Sequence, residues 1–185
     1  MQIGRVELGL TSGYMYTGDP ARCAAVLPGA MLGGMPVNAF VIQPLTERGW
    51  SVVQVWDEYD RDGSDRVEWA RERGEAAIAG APNSTVRLLA GKSITSLATG
   101  LAAHHRVAAV WLTPLLTEEE CVAGLQRRTA PALLIGGTAD PTWDGRLARE
   151  LSDVVLEIDG AIHGLARLED LGRVAEAVGG FVDRL

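Results

Sequence analysis

Ser93, Asp140 and His163 are residue types that together could break an acyl bond. A serine hydroxyl is a poor nucleophile until a base accepts its proton, and imidazole suits that task near neutral pH. A carboxylate on the other ring nitrogen holds the imidazole in the useful tautomer. The serine stands in Gly91-Lys92-Ser93-Ile94-Thr95-Ser96, the aspartate in Gly136-Gly137-Thr138-Ala139-Asp140-Pro141, and the histidine in Asp159-Gly160-Ala161-Ile162-His163-Gly164. Of the three histidines, His104 and His105 lie about 16 Å along the segment from Ser93 if it is helical, at 1.5 Å rise per residue. They read as partners of a helix C-terminus. The Gly-Lys-Ser triplet also raises the possibility of a phosphate loop. Such a loop needs a glycine five residues before the triplet, and Val86 stands there inside an apolar run.

The segments that must position these residues alternate in character. Short apolar runs at 21–27, 50–56, 86–90, 107–112, 132–135 and 154–158 suit strands of a parallel sheet covered on both faces. Between them lie segments of helical period. Residues 93–105 place Ile94, Leu97, Ala98 and Leu101 on one side, and residues 64–80 predict a helix capped by Ser64 or Asp65. Thr117 with Glu120 forms a capping-box pattern before a helix closed by Arg127-Arg128. Leu168, Leu171, Ala175, Val178 and Val182 stripe a C-terminal helix. Residues 36–48 are ambiguous because Pro44 would kink or break a helix, with Gly49 a natural end; residues 1–20 suggest an antiparallel edge hairpin. Strands alternating with helices imply an α/β fold, a doubly wound and mostly parallel sheet flanked by helices. Ligands in such folds sit beyond the carboxyl ends of the strands.

All three residues fall just after a run. Ser93 passes directly from a strand into a helix, the setting of a nucleophile elbow, where small residues two before and two after the serine let strand and helix approach. Gly91 fits and Thr95 does not; for the motif alone, a serine that merely caps a helix is the competing reading. The chain order Ser93, Asp140, His163 is that of an α/β-hydrolase triad. From residue 21 to the C-terminus the chain resembles that superfamily, most closely its small capless members with Gly-Lys-Ser elbows. The resemblance is carried by Leu27-Pro28-Gly29-Ala30, Gly91-Lys92-Ser93, Gly136-Gly137-Thr138-Ala139-Asp140-Pro141 and Ile162-His163-Gly164. It implies a minimal α/β-hydrolase fold without a cap domain, with Ser93 as nucleophile, His163 as general base and Asp140 as its orienting partner. Thr95 departs from the family's glycine, and Pro28 stands where many relatives have histidine.

A tetrahedral oxyanion needs backbone donors. The amide of Ile94, just after the nucleophile, is one, and the second is expected from Ala30 or Met31 in the loop after Leu27. Asp144 and Asp159 are alternatives to Asp140, although Asp159 reads better as support for the histidine loop. Met31, Trp111 and Trp143 are expected to line the substrate, with core or rim packing the other reading of the tryptophans; Met31 with Met35 would make an adaptable apolar wall. Residues 57–60 read as a solvated acidic loop near the cleft. Of 17 basic residues only Lys92 is a lysine; it reads as a solvated elbow side chain, or as one that tunes substrate charge or pairs with a loop carboxylate.

Composition bounds the rest. The chain has 185 residues with 47% hydrophobic and 22% charged residues, which fits one globular domain burying about 70% of its unfolded surface. A net charge of −7 without a basic stripe argues against nucleic-acid and anionic-membrane partners. No signal-like start or spanning apolar run is seen, and Cys23 and Cys121 read as free buried thiols, so a cytoplasmic location is expected. No metal-ligand spacing or dinucleotide fingerprint appears, so no cofactor is expected. The short Thr113-Pro114 turn, where lipases insert a lid, predicts an open site for a small ester, thioester or amide. The leading expectation is a serine hydrolase acting on a small molecule. An acyltransferase or thioesterase shares its triad, and a non-catalytic binding or scaffold protein of the same fold is the alternative.

Overall fold

The computed structural model describes residues 1–61, 63, 65–82 and 85–185. Eight strands, β1 (Ile3–Leu8), β2 (Thr11–Tyr16), β3 (Asp19–Val26), β4 (Trp50–Val55), β5 (Leu88–Lys92), β6 (Ala108–Leu112), β7 (Ala132–Gly137) and β8 (Val154–Ile158), form one sheet in the order β1-β2-β4-β3-β5-β6-β7-β8. β2 is antiparallel to both neighbours, which confirms the expected hairpin, and β4, β3 and β5 to β8 pair in parallel. Successive residues of the central strands feed opposite faces, as the two-residue period requires: Leu88 and Ala90 pack into one core, Leu89 into the other. In β6, Ala108, Val110 and Leu112 face one core while Ala109 and Trp111 face the second.

Among the described residues six α-helices cover the two faces: α1 (Ala39–Glu47), α2 (Arg66–Ala79), α3 (Thr99–His105), α4 (Glu119–Gln126), α5 (Gly145–Leu151) and α6 (Leu168–Val182). α1 and α6 lie together on one face, and α2 to α5 on the other. α1 runs through Pro44, whose ring is buried. The α2 cap is Asp65, which accepts from the amides of Val67 (3.0 Å) and Glu68 (2.9 Å); Ser64 is outside the described residues. The Thr117–Glu120 capping box does not form, because α4 starts one residue later with Glu118 at its N-cap and no side-chain cap bond. Arg128 leaves the end of α4 and donates from Nη2 to the Leu151 carbonyl at 2.6 Å. On α6 the stripe is corrected at its start, since Leu168 is exposed and Val174 is the fully buried residue. Residues 93–105 are a 3-10 helix (Ser93–Ala98) followed by α3, where one helix was expected. Ser96 Oγ accepts from the Leu115 amide and Thr99 Oγ1 donates to the Cys121 carbonyl, tying this poorly helix-forming stretch to its neighbours. Among the described residues no helix is long and apolar enough to cross a membrane.

Candidate active site

Strand β5 ends in a backbone reversal. Ser93 has φ +54°, a left-handed conformation that a residue with a Cβ adopts only at a cost of about 1–2 kcal/mol. The conformation lifts the hydroxyl above the sheet at the head of the 3-10 helix. A Cβ on Gly91 would stand 2.6 Å from the Trp111 ring and 2.9 Å from Thr95 Oγ1, so only glycine fits there. Thr95, the departure from the elbow pattern, is fully buried, and its hydroxyl is absorbed by the turn. Oγ1 accepts from the Lys92 amide (2.9 Å) and donates to the Pro28 carbonyl (2.7 Å). The threonine therefore fastens the elbow to the loop after β3.

The three residues expected to act together meet beyond the carboxyl ends of β5, β7 and β8. Ser93 Oγ lies 2.7 Å from His163 Nε2, and His163 Nδ1 lies 2.7 Å from Asp140 Oδ2. The Asp140 side chain is sealed from solvent, whereas that of His163 is 34% exposed. An ionised carboxylate only accepts, so the proton sits on Nδ1 and Nε2 accepts from the serine. Sequence reasoning missed Thr142. Its amide (2.9 Å) and hydroxyl (2.8 Å) both donate to Asp140 Oδ1, which leaves Oδ2 for the histidine. The same hydroxyl oxygen lies 3.2 Å from His163 Nδ1. A threonine two residues past an aspartate is the signal, since that spacing closes an Asx turn.

The other acidic candidates have different tasks. Asp144 caps α5 by accepting from the amides of Arg146 and Leu147. Asp159 accepts from the Thr138 hydroxyl at 3.0 Å and braces the histidine loop.

The loop after β3 approaches the elbow from the other side. Asn38, 1% exposed, donates from Nδ2 to the carbonyls of Leu27 (2.8 Å) and Gly33 (3.0 Å), so one side chain closes the loop at both ends. Gly33 (φ +63°) and Gly34 (φ +66°) supply the turn, and Gln54 Nε2 supports the Gly33 carbonyl at 3.4 Å. Among the described residues the amides of Ala30 and Met31 donate to no group. The Ile94 amide lies in the first helical turn, where no intrahelical acceptor exists. Residues 57–60 border this loop rather than standing free. The Asp57 carbonyl accepts from Gly33, the Tyr59 amide donates to Ala30, and the Asp57 carboxylate pairs with Arg73 at 2.8 Å.

The tryptophans are corrected. Trp111 is 1% exposed and packs under the elbow, so it lines no pocket. Trp143 packs its ring on Gly136 and donates from Nε1 to Glu157 at 2.7 Å, which commits it to the ends of β7 and β8. Met31 is 70% exposed, with Leu32, Met35 and Ile162 also exposed in the loops beside the triad. Lys92 is not the solvated side chain expected. It is half-buried, burial lowers its pKa against the opposing pull of Asp140, and Nζ donates to the His163 carbonyl at 3.3 Å. Residues 113–118 join β6 to α4.

This topology defines the class: the chain has the α/β-hydrolase fold. No family model and no curated protein matches it in sequence, but solved structures do match it in fold. It is similar to Est1E from Butyrivibrio proteoclasticus (TM-score 0.75, 16% identity, covering 100% of this chain and 98% of that one). It is similar to a Xanthomonas campestris protein described as an α/β serine hydrolase without lid (TM-score 0.69, 16% identity, 94% and 88% covered). A third similar structure is an α/β serine hydrolase homologue from Coxiella burnetii (TM-score 0.72, 13% identity, 98% and 97% covered).

Proposed function

We propose that this protein is a serine hydrolase that cleaves small esters, thioesters or amides through an acyl-enzyme on Ser93. The observation that carries the reading is the continuous hydrogen-bonded line from Ser93 Oγ through His163 to the sealed carboxylate of Asp140, built on a serine held at positive φ. Of the four non-glycine residues at positive φ among the described residues, Ser93, Arg106, Thr113 and Leu165, Ser93 is the one whose side chain bonds a histidine, and such strain clusters at active sites. The similar structures described as esterases and serine hydrolases add support by their fold.

In acylation, Oγ attacks the substrate carbonyl carbon while Nε2 of His163 takes the hydroxyl proton. The carbonyl electron pair moves onto oxygen, which the amide of Ile94 and that of Ala30 or Met31 stabilise; each donor of this kind is worth about 3 kcal/mol. Imidazolium, held by Asp140, then returns the proton to the leaving group as the old acyl bond breaks. Water repeats the sequence on the acyl-enzyme and frees Ser93. The short connection at residues 113–118 between β6 and α4 supports small or solvent-accessible acyl groups. The test is hydrolysis of p-nitrophenyl acetate and butyrate by wild type and Ser93→Ala. Turnover that disappears in the variant supports the reading, and equal rates overturn it.

A further inference from the structure

Lys92 carries a charge that the triad mechanism does not use. Its methylenes lie against the oxyanion loop: a Cβ placed on Gly29 would stand 3.6 Å from Lys92 Cδ and 3.8 Å from Cγ. The stem thus crosses from the elbow over Gly29, and the ammonium ends at the histidine loop, 3.3 Å from the His163 carbonyl. An ammonium has three N–H donors, and that long bond engages one of them. Among the described residues Lys92 forms no ion pair, and the oxygens of Asp140 are engaged by Thr142 and His163. The other cations near the catalytic loops are paired, Arg73 with Asp57 and Arg167 with Asp170.

Asp140 attracts the ammonium only from beyond ion-pair distance, so this partly desolvated cation, hydrogen-bonded to one carbonyl, is stabilised by an anion that arrives to meet it. The two loops that it bridges expose apolar side chains, Met31, Leu32 and Met35 in one and Ile162 in the other. The choice of lysine is also chemical in a chain that otherwise uses arginine for its basic residues. A narrow stem that can lie flat on Gly29 and carry a point charge is what lysine offers and the broad guanidinium does not.

We infer that Lys92 is a substrate-recognition residue whose ammonium receives a carboxylate carried by an otherwise apolar ester, so that the preferred substrates are monoanionic. This rests on the assignment of Ser93 as the nucleophile.

The experiment compares mono-p-nitrophenyl glutarate with p-nitrophenyl butyrate at fixed ionic strength, using wild type, Lys92→Met and Lys92→Arg. Methionine keeps an unbranched apolar stem on Gly29 and removes the charge. Wild type is expected to prefer the anionic ester, and the ratio of the two kcat/KM values should fall at least tenfold in K92M and recover in part in K92R. A second readout needs no turnover: butyrate ion should slow labelling of Ser93 by a neutral fluorophosphonate in wild type, chloride should not, and K92M should lose that protection. A ratio unaltered by K92M, with both rates falling together, would overturn the inference and leave Lys92 as a brace for the histidine loop. Absence of wild-type preference and of butyrate protection would overturn it as well. Failure of the fluorophosphonate to label wild type at all would instead remove the assignment of Ser93, and the inference with it.

Discussion

Replacing Asn38 by alanine separates what the loop after β3 contributes to stability from the oxyanion-binding role proposed for it in catalysis. The side chain donates to two carbonyls, Leu27 at 2.8 Å and Gly33 at 3.0 Å, from a position 1% exposed. A buried acceptor left unsatisfied costs about 1–3 kcal/mol. The Gly33 carbonyl keeps a 3.4 Å bond from Gln54, so the larger loss falls on Leu27. Against this, Asn38 Oδ1 is buried without a partner, and its removal returns about 1 kcal/mol or more. The net is a destabilisation of at most about 2 kcal/mol, visible as a lower urea midpoint at unchanged slope. Catalysis should suffer as well. Loosening residues 28–31 withdraws one donor from the oxyanion, and loss of such a donor lowers kcat about 100-fold or more. N38A is therefore expected to lower kcat by about 10- to 100-fold on p-nitrophenyl butyrate, with KM within about threefold, because the donor acts mainly in the transition state. A stability loss with kcat within threefold of wild type would refute the idea that Asn38 sets the position of the amide.

Further outcomes follow from the same geometry. Ser93→Gly and Ser93→Ala both lose the bond to His163, but the glycine variant should be more stable by about 1 kcal/mol because alanine retains the left-handed penalty; equal denaturation midpoints would contradict this. Trp143 and Arg149 hold the Glu157 carboxyl below its ordinary value near 4.5, so its stabilisation is present above that pH and is lost as pH falls through the lower folded value. The difference in stability between wild type and Glu157→Gln, within about 1 kcal/mol for this partly exposed network, should accordingly shrink in acid, as urea titrations at pH 7 and pH 3 will show. Burial pushes the thiols of Cys23 and Cys121 up to about 11, so a disulfide reagent at pH 8 should modify neither in native protein and both in denaturant.

Much of this arrangement was legible before any coordinates. The meeting of Ser93, Asp140 and His163 was readable because each follows an apolar run, and a parallel sheet brings the carboxyl ends of its strands to one edge. Asp140 was separable from Asp144 and Asp159 by its place directly after β7. The positions misread are those where contact rather than pattern decides. Trp111 has the composition of a pocket wall, but alternation along β6 turns it into the core beneath the elbow. Thr95 breaks a motif on paper, and only the nearby Pro28 carbonyl reveals where its hydroxyl goes. Asn38 and Thr142 act through hydrogen bonds across loops, to which hydrophobic periodicity is blind. Lys92 looked solvated because a lone lysine usually is, and its burial depends on Gly29, 63 residues earlier in the chain.

The central claim is that Ser93 is an activated nucleophile. It is tested most directly by treating the purified protein with a fluorophosphonate and locating the adduct by peptide mass, beside Ser93→Ala and His163→Ala. The account predicts one adduct per chain, on Ser93, absent in S93A and formed at least 100-fold more slowly in H163A. A folded wild-type protein that stays unlabelled, or a label that persists in S93A, would contradict it.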